Sequence, residues 1–461
     1  MRIEIKRFGP VSNFVCDLDK DLVIIYGNNN IGKSYSMQVV YLLLKVFIAN
    51  CYTTEQQSKI LTWIPYTMLD SSEIKLKKTV QDFLDSEEPW HDVKTVIEEE
   101  MYSCLGNIFL PEFINSCYNT FGNFDKALGK NPVIRINTGI YNFEIQLKQK
   151  KIKGTIDIKP IMLIRDNTDI IKLSENLDLE VGYIVPGLKK MTELLQGQLQ
   201  RNIINCVNEF KKKYSGVYFL PASRSGIYSG MSAFSSIVAE LSKSRSYITK
   251  KIELPGISEP ISDYFITLSN IQPGTNKRLA GFYTDIEDNI LKGKVSFDND
   301  KNTLMYRPVN VDADFGMTEV SSMVSEIAPV VAFLKFILKD YVGNENKGKP
   351  ILFIEEPEAH LHPGNQIALI EVFTKLIQSD IKMVMSSHSN YIFNKLNNLV
   401  LGKKLDYNVY QPVILEEMQD GSVAKFIGID ELGAEDRNFI DVSEKLYYER
   451  EEIIQKLNMG E

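Results

Sequence analysis

The stretch "DLVIIYGNNNIGKS", residues 21–34, decides how this chain is read. Leu22 to Tyr26 form an unbroken apolar and aromatic run that ends on a glycine. Such a run reads as a strand buried on both faces, as in a parallel sheet. Gly27-Asn28-Asn29-Asn30-Ile31-Gly32-Lys33-Ser34 then satisfies G-x-x-x-x-G-K-[ST], and helical spacing follows from Lys33 to about Asn50. In that strand–loop–helix setting the glycines permit a turn tight enough for successive N–H groups to aim at phosphate oxygens. The start of the helix adds partial positive charge. Asparagine tolerates positive φ better than other side chains, which suits positions 28–30. Lys33 is expected to reach the β- and γ-phosphates, and Ser34 to ligate Mg²⁺.

A phosphate loop needs an acidic partner at the end of a neighbouring strand, to hold the metal and activate the attacking water. "ILFIEEPEAHLHPGNQ", residues 351–366, supplies one: four apolar residues run into Glu355 and Glu356. Glu355 is expected at the magnesium position and Glu356 beside the nucleophilic water. More than three hundred residues separate this pair from Lys33, far more than a compact nucleotide-binding sheet needs. His360 and His362 are not read as metal ligands. A histidine metal site needs three or four convergent ligands, and the chain has four histidines in all, with His91 far away in sequence.

Composition sets the outer bounds. The 461 residues are 44% apolar and 24% charged, as in a soluble globular protein of two or three compact units. The apolar stretch 37–50 is too short for a membrane span and carries Lys45. The alternating "MRIEIKRFGP" leaves no room for a signal peptide. Five scattered cysteines, none in a CxxC pair, fit free thiols in a reducing cytoplasm. A net charge of −8 lacks the overall basic footprint of a nucleic-acid binder. The basic clusters at 147–154 and 208–216 read first as solvated surface and leave a nucleic-acid contact open.

Along the chain, 51–130 is helical and interrupted, 132–165 switches to β-rich alternation, and 186–214 returns to helical spacing. "GVYFL" (216–220) is a short strand that runs into "PASRSG" (221–226), and a helical piece is expected at about 231–249. Residues 293–309 predict a hairpin turning at Asp298–Lys301. Residues 318–338 predict a buried helix broken early by Pro329. A helix at 364–378, a strand at 381–387, a second hairpin and a closing helix from about Asp441 complete the chain. The division that follows is 1–50, 51–215 as a large, mostly helical insertion, and 216–461.

Four segments occur in a telling order: "FGPV…LVIIYGNNNIGKS", "SSMVSEIAPVVAFLKF", "IEEPEAHLHPGNQ" and "MSSHSNYIFNKLNNL". Together they resemble the ABC-type ATPase heads of the OLD/RecF/SMC lineage. More closely, they resemble bacterial anti-phage ATPases of the Septu PtuA-like and PARIS AriA-like kind. The resemblance covers about 1–50 and 216–460. It implies an α/β P-loop head, a mixed sheet with an N-terminal β-subdomain, interrupted by the 51–215 insertion. It makes Gly27–Ser34 the Walker A loop, Glu355 the Walker B acid, Glu356 the catalytic glutamate and His388 the switch histidine. Ser321 and Ser322 take the place of the ABC signature, although its usual glycines are missing. No glutamine loop is evident. Arg224 stands near where one is sought, either as a phosphate or partner contact or as a loop arginine paired to an acidic neighbour.

The resemblance implies slow hydrolysis of ATP with Mg²⁺ in the cytoplasm. It also implies a homodimer or higher homo-oligomer closed through the heads, and a separately encoded effector such as a nuclease or toxin. Nucleic acid or a phage protein remains open as a further ligand. Two other readings stand beside it. An OLD-type nuclease would carry its own metal site, yet no DxD follows His388, and "DND" (298–300) and "DAD" (312–314) fall in a hairpin and a loop. A RecF/SMC-type repair clamp would favour long heptads in 51–215, which the β-rich stretch interrupts.

Overall fold

The computed structural model describes residues 1–49, 66–165, 181–184, 187–228, 230, 256–338, 348–435 and 447–455. Its frame is one eleven-stranded sheet. In chain order its strands are β1 (Arg2–Phe8), β2 (Val11–Asp17), β3 (Leu22–Tyr26), β4 (Val133–Asn137), β5 (Tyr141–Gln146) and β6 (Lys151–Ile156). They continue with β7 (Tyr214–Leu220), β8 (Lys349–Glu355), β9 (Lys382–Ser386), β10 (Tyr410–Met418) and β11 (Gly421–Phe426). The spatial order is β7-β8-β9-β3-β10-β11-β2-β1-β4-β5-β6. From β7 to β10 every pairing is parallel. From β2 through β1, β4 and β5 to β6 every pairing is antiparallel.

The central parallel strands are apolar on both faces because each face meets its own core. Val23, Ile25, Ile351, Phe353 and Val384 point into one cluster. Leu22, Ile24, Tyr26, Leu352, Ile354, Met383 and Met385 point into the other. This two-residue alternation is the pleat of a strand doing double service. The first core is roofed by helices α1 (Lys33–Ala49), α2 (Tyr66–Asp85), α3 (Lys94–Phe121) and α4 (Leu188–Lys213). The second is covered by α5 (Glu259–Ser269), α6 (Ser322–Ala332), α7 (Pro363–Ile377) and α8 (Asn390–Leu401).

The segment read as an insertion is part of the same body. Strand β4 pairs with β1 from Arg2↔Asn137 to Lys6↔Val133, so the β-rich stretch extends the sheet. Its inward residues Ile134, Ile136, Tyr141, Phe143 and Ile145 join the core that also holds Ile3, Ile5 and Phe47. Phe47 of α1 stacks on Phe109 of α3 and on Phe210 of α4, with centroids 4.6 and 4.4 Å apart. A boundary at residue 50 and another at 215 would cut through one core. The physical reason is the open edge of β1: an alternating hairpin with one apolar face buries that face by pairing there. The strand 161–164 also pairs with Trp90–Asp92, tying the two parts of the helical region together.

One further expectation changes. Pro329 does not break its helix: α6 runs through it to Ala332 and continues as a wider π-helical turn, Phe333–Ile337. The hairpin 293–308 forms as read, with a third short strand at Phe315–Gly316. The helix expected at 231–249 lies outside the described residues, as does 441–446, while 447–455 is helical. No helix among the described residues is long and apolar enough to cross a membrane.

Gly154 of β6 tests the merged core. A Cβ there would stand 2.2 Å from the Asn142 carbonyl oxygen and 2.6 Å from the Phe143 Cβ. Gly154→Ala is expected to lower stability by about 2 kcal/mol, in a single cooperative urea transition reported alike by far-UV dichroism and tyrosine fluorescence. Two separate transitions would show that 133–156 folds apart from the head.

Candidate nucleotide site

The phosphate loop leaves β3 at Gly27, whose φ of 135° no L side chain adopts without strain. A Cβ would also lie 2.6 Å from the Leu415 carbonyl, so glycine is needed for space as well. Gly32 has φ 95°. Of the three asparagines only Asn30, at φ 62°, uses the left-handed region. Asn28, Asn29, Asn30 and Ser34 are exposed at the mouth, while Ile31 is buried beneath it. Lys33 is 6% exposed and folds back, Nζ donating to the Gly27 carbonyl at 3.0 Å and the Asn28 carbonyl at 2.7 Å. Burial lowers its pKa to about 8, against the raising influence of Glu356 and Glu358.

Strand β8 delivers Glu355 beside this loop. Its carboxylate accepts from Ala222 N at 3.1 Å, from Gln38 Nε2 at 3.4 Å and from the Ser34 hydroxyl. Burial raises its pKa, with the Ala222 and Ser34 hydrogen bonds opposing. One hydroxyl and one nearly enclosed carboxylate thus converge at the start of α1. That all-oxygen pair fits Mg²⁺, which takes one or two protein oxygens and fills its octahedron with phosphate oxygens and water.

Glu356 has left the strand. Its φ is 43°, a left-handed conformation costly for a residue with a Cβ, and its N–H donates to the Ser386 carbonyl at 3.0 Å. The kink turns its half-exposed carboxylate toward His388, whose Nε2 is 3.7 Å away. His388 follows β9 and is hydrogen-bonded to the Gly27 main chain. Burial and then Lys33 lower its pKa, so the ring is neutral at pH 7.

Sequence reasoning passed over Glu358. Its Oε1 accepts from Ser387 Oγ at 2.8 Å and from His388 N at 2.6 Å, so it holds the His388 main chain in place. Its Oε2 is buried with no hydrogen-bond partner among the described residues, and burial raises its pKa. The third glutamate of "EEPE" was the available signal. Gln38 was legible too, four residues after Ser34 and therefore on the same helix face.

Arg224, the Ser321–Ser322 pair and the two histidines take the following places. Arg224 does not face the loop mouth: it is completely enclosed, with Nη1 donating to the Glu355 carbonyl at 2.8 Å and Nε to the Glu326 carbonyl at 2.9 Å. Its guanidinium is engaged by protein atoms, which removes it from the phosphate contacts and makes it the loop arginine paired to an acidic neighbour. Ser321 and Ser322 stand at the exposed N-terminus of α6, where Ser321 Oγ accepts from Val324 N at 3.5 Å. No hydrogen bond among the described residues joins either serine to Gly27–Ser34 of the same chain. His362 caps α7, its Nδ1 accepting from Gly364 N at 3.3 Å, and His360 is an exposed turn residue at φ 60°. Among the described residues no group of three or more His, Cys, Asp or Glu side chains is arranged around a metal.

The strained φ of Glu356 has a measurable consequence. Glu356→Gly is expected to raise the unfolding free energy by roughly 0.5–1 kcal/mol, read as a higher urea midpoint at unchanged slope. A lower midpoint would mean that the residue does not sit in the left-handed region.

The arrangement can be set beside known proteins. A crystal structure of an SMC head bound to the C-winged helix domain of ScpA and a solved structure of the SMC head domain from Thermotoga maritima each match 93% of this chain and 98% of their own. Their identities are 8% and 7% and their TM-scores 0.37 and 0.33. No curated protein matches the sequence. A family profile, described as AAA ATPase domain, matches residues 1–393, a span that takes in Gly27–Ser34, Glu355–Glu356 and His388. The chain belongs to that family, AAA_15.

Proposed function

We propose that this protein hydrolyses ATP at Gly27–Ser34, Glu355, Glu356 and His388, and that ATP closes two copies face to face. The observation that carries the reading is the meeting of Lys33, Ser34, Glu355, Glu356 and His388 at the carboxyl ends of adjacent parallel strands, while Ser321 and Ser322 are exposed at the start of α6. The P-loop amides and Lys33 hold the triphosphate, and Ser34 and Glu355 hold the magnesium, which when bound neutralises charge on the phosphate oxygens. Lys33 leaves its two carbonyls for the β- and γ-phosphates. Glu356 orients the attacking water and accepts its proton as the water oxygen bonds the γ-phosphorus and the bond to ADP breaks. Neutral His388 donates a hydrogen bond to the γ-phosphate.

One head alone leaves the outer side of the γ-phosphate uncovered. The Ser321–Ser322 end of α6 from a second copy supplies hydroxyls and helix N–H groups to cover it. ATP then favours the closed pair by contacts that hydrolysis removes. The family resemblance carries the output: an ATP-dependent sensor or scaffold that restrains or loads a separately encoded nuclease or toxin in anti-phage defence.

Lys33→Ala is expected to abolish ATP binding in calorimetry. Glu356→Gln is expected to bind ATP, lose hydrolysis by at least a hundredfold, and run in mass measurement at a multiple of the 52.6 kDa chain. Normal turnover by Glu356→Gln would remove Glu356 from the mechanism. A single-chain mass with bound ATP would remove the pairing.

The pKa of Lys33 sets a pH dependence. In the free protein the ammonium is lost as pH rises through about 8, whereas a bound triphosphate holds the proton. ATP affinity is therefore expected to fall about tenfold from pH 7 to pH 9, with proton uptake on binding at the upper end. A flat profile in calorimetry across that range would contradict the placement of Lys33.

A further inference from the structure

Arg224 and Glu326 take no part in the chemistry above, yet both are 0% exposed, and Arg224 is the largest fully enclosed side chain among the described residues. A buried ion pair is a poor source of stability, because lost hydration offsets most of the attraction; what it fixes is geometry. Here the geometry joins three elements. Glu326 lies one helical turn beyond Ser322 on α6, with its carboxylate accepting from Arg224 N at 3.1 Å and Ser225 N at 3.2 Å. The Arg224 guanidinium spans outward from that helix: Nε to the Glu326 carbonyl at 2.9 Å, with the Glu326 carboxylate 3.3 Å away. Nη1 reaches the carbonyls of Pro221 at 3.2 Å and Glu355 at 2.8 Å, and Nη2 that of Glu356 at 3.4 Å. The same short loop places Ala222 N on the Glu355 carboxylate.

One arginine therefore grips the helix that begins with Ser321–Ser322 and, at its other end, the two carbonyls that bracket the strained Glu356 backbone. The interior around it is close-packed, so α6 cannot shift without moving that grip. We propose that Arg224 and Glu326 are a positioning pair that carries engagement of the Ser321–Ser322 end by a partner head to Glu356 of the same head. In a closed pair each head offers α6 to its partner's ATP and Glu356 to its own. The pair of residues therefore couples the two ATP sites, so that occupancy of one sets the catalytic geometry of the other. This inference rests on the paired-head reading above, and it adds cooperativity and the route that carries it.

The test uses the full chain and two conservative variants. Glu326→Gln keeps an oxygen for Ser225 N and removes the charge; Arg224→Lys keeps the charge and removes the planar fork. ATP binding is followed by calorimetry, turnover is measured against ATP concentration, and pairing is read by mass in the Glu356→Gln background. The wild-type protein is expected to show a Hill coefficient approaching 2. Each variant is expected to hold ATP within about twofold of wild type and to pair normally, with a Hill coefficient near 1 and kcat at least tenfold lower. A wild-type Hill coefficient of 1 with pairing intact overturns the coupling and leaves the paired head standing. So do variants that keep the wild-type Hill coefficient, or that lose ATP affinity and kcat in proportion, as a merely structural role would dictate. Should one variant fail to fold, the other decides on the same terms. Absence of pairing in the Glu356→Gln protein overturns the paired-head reading, and this inference with it.

Discussion

The arrangement depends on the register of three adjacent parallel strands. Ser386 pairs with Ile25 on one side and with Glu355 on the other, so β3, β9 and β8 end level with one another. Strands in a sheet lie about 4.8 Å apart, so the residues just past these ends, Gly27, His388 and Glu356, are held within reach although they come from opposite ends of the chain. The Ser386 carbonyl also receives Glu356 N, and the Ile25 carbonyl receives Ser387 N, which carries the register one residue beyond the strands. A ligand cleft at the carboxyl ends of parallel strands is the general outcome of this geometry. A slip of one residue in any of the three would turn its apolar set to the wrong core and the residue beyond its end away from the loop.

The groups at these strand ends are also electrostatically perturbed. Burial pushes Glu355 and Glu358 above the usual carboxylate range and lowers Lys33 and His388. Each shift reports a charge held where water hydrates it poorly. Lys33 rests on the Gly27 and Asn28 carbonyls, which hold its ammonium inside the loop. The left-handed Glu356 is part of the same pattern, a strained backbone held by Ser386 on one side and Arg224 on the other.

The two cores are joined by polar contacts as well as by the sheet. Lys45, on α1 behind the phosphate loop, pairs with Glu259 at 2.7 Å and Asp263 at 2.6 Å on α5, while Ser116 of α3 donates to the same Glu259 at 2.8 Å. Tyr41 adds its hydroxyl to Asp263 at 2.8 Å. A movement of α1 on nucleotide binding would thus be felt in α3 and α5 together.

Local sequence determined the elements whose reasons are local. A buried run ending in Gly27, the loop pattern to Ser34, the apolar strand ending on Glu355 and Glu356, and the strand before His388 were all legible, because steric rules for glycine and the two-residue pleat act within a few residues. Tertiary structure decided whatever depended on partners far along the chain. The open edge of β1 captured 133–156 and turned an apparent insertion into part of the head. Enclosure turned Arg224 from a phosphate contact into a link between α6 and Glu356. Glu358 became visible only when Ser387 and His388 were laid across it. Pattern reveals which way a side chain points along its own element; what it meets there is set by packing between elements hundreds of residues apart.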